Sequence, residues 1–333
     1  MLETIFQQSI NLTIWLQGLG DWLDPVMQFF TLLGNEEFYL FVMPVFIWVL
    51  DYQLGFKLGV MLLLTTGIND LAKLTFRMPR PYWVDPAAAR FSSPAGGYGL
   101  PSGHSQTPIS IFGLLAAEFN KRWLTIAVIF VVFMIGLSRI YLGEHFYIDV
   151  LAGWTIGGIV LFAFIKLAPA VSQWFHQKSF GVKVGAVFAY SIGIILIAAI
   201  VVAIPHDYQL PQEWLDNARQ AYPDEPIEPL KLSNVITSAA TLFGLALGYF
   251  WLDEQGGFNA NSGQWWQRAL RFLIGLVGVA LFWMGLGEVF PDGENLVSWA
   301  LRFFRYGLVG VWIAGIAPLI FIKLGLGTAE EQA

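Results

Sequence analysis

The sequence contains no cysteine. Disulfides, iron–sulfur clusters and thiolate-ligated zinc are therefore excluded, and cysteine usage says nothing about compartment. Charge is scarce as well. Only 13% of the 333 residues are Asp, Glu, Lys or Arg, about half of the roughly 25% that a soluble domain uses. Most of the surface must therefore face something other than water. No basic residue precedes Lys57, and the leading MLETIFQQSI holds an acid and no cation. A cleavable signal peptide, which needs a positive leading region, is not expected. The net charge of −6 leaves no basic face for nucleic acid, so no such partner is expected.

What the chain has instead is apolar. Hydrophobic residues make up 56%, and the mean hydropathy is +0.60. The 14 Trp and 11 Tyr suit rings that settle at a bilayer interface. The lipid bilayer is thus the expected surrounding. Runs of about 20 apolar residues predict an all-α, polytopic transmembrane bundle. The predicted spans are 36–50 (extending on either side), 55–76, 103–120, 122–142, 146–168, 182–204, 232–252, 267–288 and 302–325. Residues 5–33 mix apolar positions with Gln7, Gln8, Asn11, Gln17, Asp21 and Asp24 and read as an interfacial helix with an entry segment. Three regions follow: an entry segment 1–35, a core 36–170, and further spans over 171–333 with a polar loop at 205–231.

Orientation follows from Lys and Arg near helix ends. Lys121 and Arg122, then Lys166, Lys178 and Lys183, then Arg268 and Arg271 mark cytoplasmic connections. The acidic stretch 205–231 falls on the opposite side, with the N-terminus. Arg302 and Arg305 run against this pattern, and Arg77, Arg80 and Arg90 need another reason to lie outside.

Polar groups cluster at three outer helix ends. They are Lys73 to Arg80-Pro81, then Pro101-Ser102-Gly103-His104, then Ser138-Arg139 with His145 and Asp149. Singly each has a plain reading: Lys73 snorkels, Ser102 caps a helix, and His145 and Asp149 make a local i,i+4 contact. Together they form an anion site. Lys73, Arg80 and Arg139 supply three cations matched to phosphate oxygens. Ser102 and Gly103 open a helix whose N–H groups attract anions. Asp149 can hold one nitrogen of His145 and leave the other as nucleophile. His104 is positioned as a general acid. Clustered intramembrane charge is costly enough to indicate function.

The pattern Lys73-x6-Arg80-Pro81, Pro101-Ser102-Gly103-His104, Ser138-Arg139-x5-His145-x3-Asp149 resembles the three-part signature of PAP2-type phosphatases across roughly residues 20–168. The resemblance implies that His145 becomes phosphohistidine, Asp149 orients it and His104 protonates the leaving oxygen. It implies that Lys73, Arg80, Ser102, Gly103 and Arg139 bind the phosphoryl oxygens, with no metal or other cofactor. The expected substrate is a lipid phosphate or diphosphate, met on the non-cytoplasmic face of a bacterial inner membrane or a similar bilayer. A second copy of the chain is a candidate partner. Arg80-Pro81-Tyr82-Trp83 and Ser138-Arg139-Ile140-Tyr141-Leu142 also resemble glucose-6-phosphatase. A silent lipid-binding or transport scaffold and a vanadate haloperoxidase are the remaining alternatives. Tyr82 and Trp83 are expected as interface aromatics, with a substrate entrance as the other reading. Gly153-x3-Gly157 is expected to permit close helix packing.

Overall fold

A computed structural model describes residues 2–90, 96–204, 210–224 and 227–330. His206, too isolated in sequence to suggest a metal site, lies outside them. The described residues contain helices and no strand. The helices are α1 Leu2–Gln17, α2 Leu23–Leu32, α3 Glu36–Val45, α4 Tyr52–Phe76, α5 Pro81–Val84, α6 Gly103–Phe119, α7 Arg122–Tyr141 and α8 Tyr147–His176. They continue with α9 Phe180–Ala203, α10 Gln212–Ala221, α11 Ser233–Asp253, α12 Trp265–Ala280, α13 Leu286–Val289, α14 Leu296–Val311 and α15 Ala317–Lys323.

Among the described residues, seven helical runs are long and apolar enough to cross a bilayer. The chain is a multi-pass membrane protein. The expected nine spans need correction at two places. The run 36–50 is one arm of a bent pair of apolar helices, Leu23–Leu32 with Glu36–Leu50, angled at 51°. Pro44 lies inside α3, and a π turn, Phe46–Leu50, follows. A proline removes one helical N–H and loosens the ladder there. The other is α6, whose 17 residues, about 26 Å at 1.5 Å per residue, lie at the short end of the range that spans a bilayer.

Contacts divide the chain into two compact units. The first comprises Met1–Phe38, Ile68–Ile165 and Ala198–Lys231, and the second Tyr39–Gly67, Lys166–Ile197 and Leu232–Ala333.

In the first unit, α6 turns into α7 through Asn120, which takes a left-handed φ of 47°. Asn tolerates this conformation better than most residues. The small-residue pattern does what its spacing suggests. A Cβ at Gly153 would lie 2.6 Å from the Ser102 carbonyl oxygen, and one at Gly157 would lie 2.2 Å from Ile109 Cγ2, so glycine lets α8 press onto α6. Helix α1 is more than an interfacial segment. Ser9, Thr13 and Gln17, one turn apart, share a face and satisfy the backbone around the α7–α8 turn. Ser9 accepts from the Tyr147 N–H (3.0 Å), Thr13 donates to the Ile140 carbonyl (3.0 Å), and Gln17 donates to the Tyr141 carbonyl (2.8 Å). Phe6 stacks on Phe146, with ring centroids 4.6 Å apart.

The polar loop also holds more order than expected. Helix α10 packs on α5, enclosing Tyr82, Trp83, Tyr98 and Ala218, and Asn217 donates to the Trp83 and Val84 carbonyls at 3.1 Å. Tyr82 and Trp83 are thus buried core residues, not interface aromatics. The amphipathic α10 covers the rings that the sequence alone left facing lipid.

The arginines expected outside have partners. Arg90 pairs with Asp21 (2.5 Å) and Asp24 (2.9 Å) and lies over the Tyr141 ring. Arg77 donates to the Val201 carbonyl at 2.7 Å.

The second unit centres on Trp48, Tyr52, Leu245, Phe258 and Phe321. A π turn at Trp312–Ile316 follows α14. There the Ile313 and Ala314 carbonyls accept from Trp48 (2.8 Å) and Tyr52 (2.6 Å), because a π turn shifts the usual helical pairing. Arg271, read with Arg268 as marking a cytoplasmic connection, is fully buried and donates to the Ala260 and Ser262 carbonyls, closing the loop before α12.

Candidate active site

The three sequence clusters meet within the first unit. Arg80 precedes α5, and its Pro81 opens that helix. Its Nε donates to the Gly97 carbonyl (2.8 Å), and its Nη1 to both the backbone and the side-chain oxygen of Glu144 (3.1 Å each). Arg139, in the last turn of α7, donates from Nη1 to Thr31 Oγ1 (2.6 Å) and lies 3.4 Å from the same Glu144 oxygen. Its Nε is buried without an acceptor, a donor that an anion's oxygen would satisfy. Lys73 ends α4 and feels the charges of Asp70, Glu36, Arg80 and Arg139.

Ser102 sits at the N-cap of α6, yet its hydroxyl makes no capping bond. It accepts from Ser105 Oγ at 3.1 Å. The plain capping reading of this serine is therefore not what the structure has. At Gly103 an added Cβ would come 3.2 Å from Asn69 Oδ1 and 4.0 Å from Lys73 Nζ, which places the small residue beside the lysine. Asn69 in turn donates to Gln106 Oε1 at 2.8 Å.

The nucleophile candidate lies in the tight α7–α8 turn. Gly143 there has φ +72°, and a Cβ would approach the Ala88 carbonyl oxygen to 1.9 Å. Only glycine fits, and the turn delivers His145 two residues later. The Glu144 and His145 N–H groups both donate to the Arg139 carbonyl (3.1 and 3.3 Å). His145 Nδ1 lies 3.3 Å from Asp149 Oδ2, which also accepts the Phe146 N–H at 3.0 Å. Asp149 is fully buried and His145 nearly so. This pairing leaves Nε2 as the other ring nitrogen of His145. Burial, then the charges of Arg80, Arg139 and Lys73, hold the His145 imidazole well below its usual pKa range, so it stays neutral. His104, at the start of α6, meets Asn35 Oδ1 through Nε2 at 2.8 Å.

Finally, the Ser102 N–H donates to the Asp149 carbonyl at 3.0 Å, joining the starts of α6 and α8. All eight sequence-identified residues thus belong to this one unit. Sequence reasoning missed Asn35, Thr31 and the pairing role of Glu144. Glu144 sits beside His145 in the motif, but nothing in its spacing reveals a link to Arg80, 64 positions away.

Comparison with known proteins gives a consistent result. The family model for the PAP2 superfamily matches residues 54–173, and that for the PAP2 superfamily phosphatase, transmembrane extension, matches residues 236–331. A probable sphingosine-1-phosphate phosphatase of Dictyostelium discoideum is 28% identical over 166 residues, 44% of this chain and 39% of that protein. Phosphatidylglycerophosphatase B of Bacillus subtilis is 26% identical over 169 residues, 47% of this chain and 80% of that protein. Undecaprenyl-diphosphatase of Sulfolobus acidocaldarius is 27% identical over 150 residues, 44% of this chain and 70% of that protein. The chain thus spans less than half of the first of these relatives. No protein of solved structure matches it.

Proposed function

Because this chain belongs to the PAP2 superfamily, we propose that it is a membrane phosphatase. In this reading it hydrolyses lipid phosphate or diphosphate esters through a phosphohistidine on His145, without a metal. The observation that carries the proposal is the buried His145–Asp149 contact set among the charges of Lys73, Arg80 and Arg139.

Asp149 holds the Nδ1 proton of His145, so the Nε2 lone pair attacks phosphorus. The phosphorus–oxygen bond to the lipid breaks, and the leaving oxygen takes its proton from His104. Lys73, Arg80, Arg139, the Ser102 hydroxyl and the Gly103 N–H neutralise the phosphoryl oxygens as charge builds. Water then attacks phosphorus and gives a proton to His104, the phosphorus–Nε2 bond breaks, and phosphate leaves with both histidines restored.

The lipid class is supported by the relatives, whose names specify sphingosine 1-phosphate, phosphatidylglycerophosphate and undecaprenyl diphosphate. A non-cytoplasmic site is supported by Lys121 and Arg122, which lie at the opposite ends of α6 and α7 from His104 and Arg139.

The test is phosphate release by the detergent-purified protein in EDTA. Substrates are phosphatidic acid, phosphatidylglycerol phosphate, undecaprenyl diphosphate, sphingosine 1-phosphate and glucose 6-phosphate. Release from a lipid should fall more than about a thousandfold in His145→Ala, as expected for loss of a nucleophile. Full activity in that variant would overturn the mechanism, and preference for glucose 6-phosphate would overturn the lipid class.

A further inference from the structure

We propose that the corner between α2 and α3 is a further wall of this active site, in which Asn35 orients the His104 imidazole as proton donor. The inference rests on the phosphatase reading above and assigns a role to a segment upstream of the matched stretch 54–173.

Three neighbouring corner residues each engage the site. Thr31 Oγ1 accepts from Arg139 Nη1 at 2.6 Å. Gly34 backs the His104 ring so closely that a Cβ there would lie 2.9 Å from His104 Cδ2 and 3.0 Å from Ile135 Cγ2. Asn35 Oδ1 stands 2.8 Å from His104 Nε2. The next residue, Glu36, bears on Lys73 through its charge. The corner therefore reaches one phosphate-binding arginine, the phosphate-binding lysine and the general acid.

An amide oxygen only accepts. Facing Nε2, it fixes the proton on that nitrogen, and Nδ1 is left to serve the leaving oxygen. The same contact favours the protonated ring that a general acid needs. It does so without a carboxylate that would compete for the proton. Arg139, Lys73 and Arg80 all bear on His104 with the opposite sign, so an acceptor on this ring has a cost to offset. Asn35 is a positioning residue: it acts through His104 and touches no substrate atom.

The leaving group separates this role from a structural one. Phosphatidic acid expels an alkoxide that must be protonated, whereas p-nitrophenyl phosphate expels a phenolate stable as an anion. Asn35→Ala should lower kcat on phosphatidic acid at least tenfold while changing p-nitrophenyl phosphate hydrolysis less than about threefold. His104→Ala should show the same selectivity, more deeply. Equal loss on both substrates, or no loss, would overturn the assignment.

Asn35→Asp supplies a second readout on the lipid alone, should the alanine variant fail to fold. A carboxylate at this position should hold the proton on His104 more firmly and move the alkaline limb of the rate profile to higher pH. An unmoved limb would also overturn the proposal. A wild-type protein that releases no phosphate from any substrate would instead sink the phosphatase reading, so the two failures are distinguishable.

Discussion

The Glu144 carboxylate lies 3.1 Å from Nη1 of Arg80, and both side chains are buried. The same oxygen is 3.4 Å from Arg139 Nη2. Two guanidinium groups assigned to the phosphate are thus held apart and aimed by one internal anion. That anion also lowers the positive charge a substrate meets.

Removing the carboxylate should therefore have two separable effects. Glu144→Ala leaves two buried cations short of a partner and should cost about 3–5 kcal/mol of stability, read as a lower unfolding midpoint in detergent. Glu144→Gln keeps an acceptor but sheds the charge. Orthophosphate should inhibit it about tenfold more tightly, equivalent to about 1.4 kcal/mol. An alanine variant that melts with the wild type would show that the pair does not support the site.

The pH profile offers an independent check on His145. Burial first, and then Arg80, Arg139 and Lys73, depress its pKa. A depressed pKa keeps the imidazole neutral to lower pH, and nucleophilicity is lost only as pH falls through that lowered value. The acid limb of kcat/KM should accordingly lie below about 6.5, the ordinary imidazole value. Asp149→Asn should reduce kcat on the order of 10²–10⁴-fold, as loss of an orienting carboxylate does in hydrolases with a similar pair. An acid limb above 6.5 would mean that the cations do not act on the nucleophile as the geometry implies.

The absence of cysteine makes the sidedness of the site directly measurable. Ala87, after α5, and Ser179, between α8 and α9, are both exposed. Single cysteines placed there should react with an impermeant maleimide from opposite sides of intact cells or vesicles, with position 87 on the non-cytoplasmic side. Labelling of both from one side would remove the outward-facing site.

The candidate site was legible in the sequence because its polar residues are dense. Lys73, Arg80, Ser102, Gly103, His104, Arg139, His145 and Asp149 are polar residues at apolar helix ends, and their spacing carries meaning by itself. Long apolar runs exposed the spans for the same reason. What stayed hidden depends on contacts between residues far apart in sequence. Asn35 and Thr31 look like ordinary turn residues until His104 and Arg139 are brought to them. The Ser9, Thr13, Gln17 stripe suggests a watery interface, yet it is consumed by the backbone of the α7–α8 turn. Tyr82 and Trp83 carry an interface composition, but α10, some 130 positions later, covers them. The span count departs from the sequence reading at the glycine-containing corner between α2 and α3, and at α6, which lies at the short end of a spanning length.

The hydrogen bond from the Ser102 N–H to the Asp149 carbonyl has a consequence for how such a protein can diversify. It couples the proposed anion cradle at the start of α6 to the carboxylate behind the proposed nucleophile at the start of α8, and Gly153 and Gly157 let the same two helices pack closely. Under the proposed mechanism these parts are packed as one block, and a slide of either helix would misalign acid, cradle and nucleophile together. Novelty is left to the α10 cover, where chain can be rewritten while the reaction geometry is inherited intact.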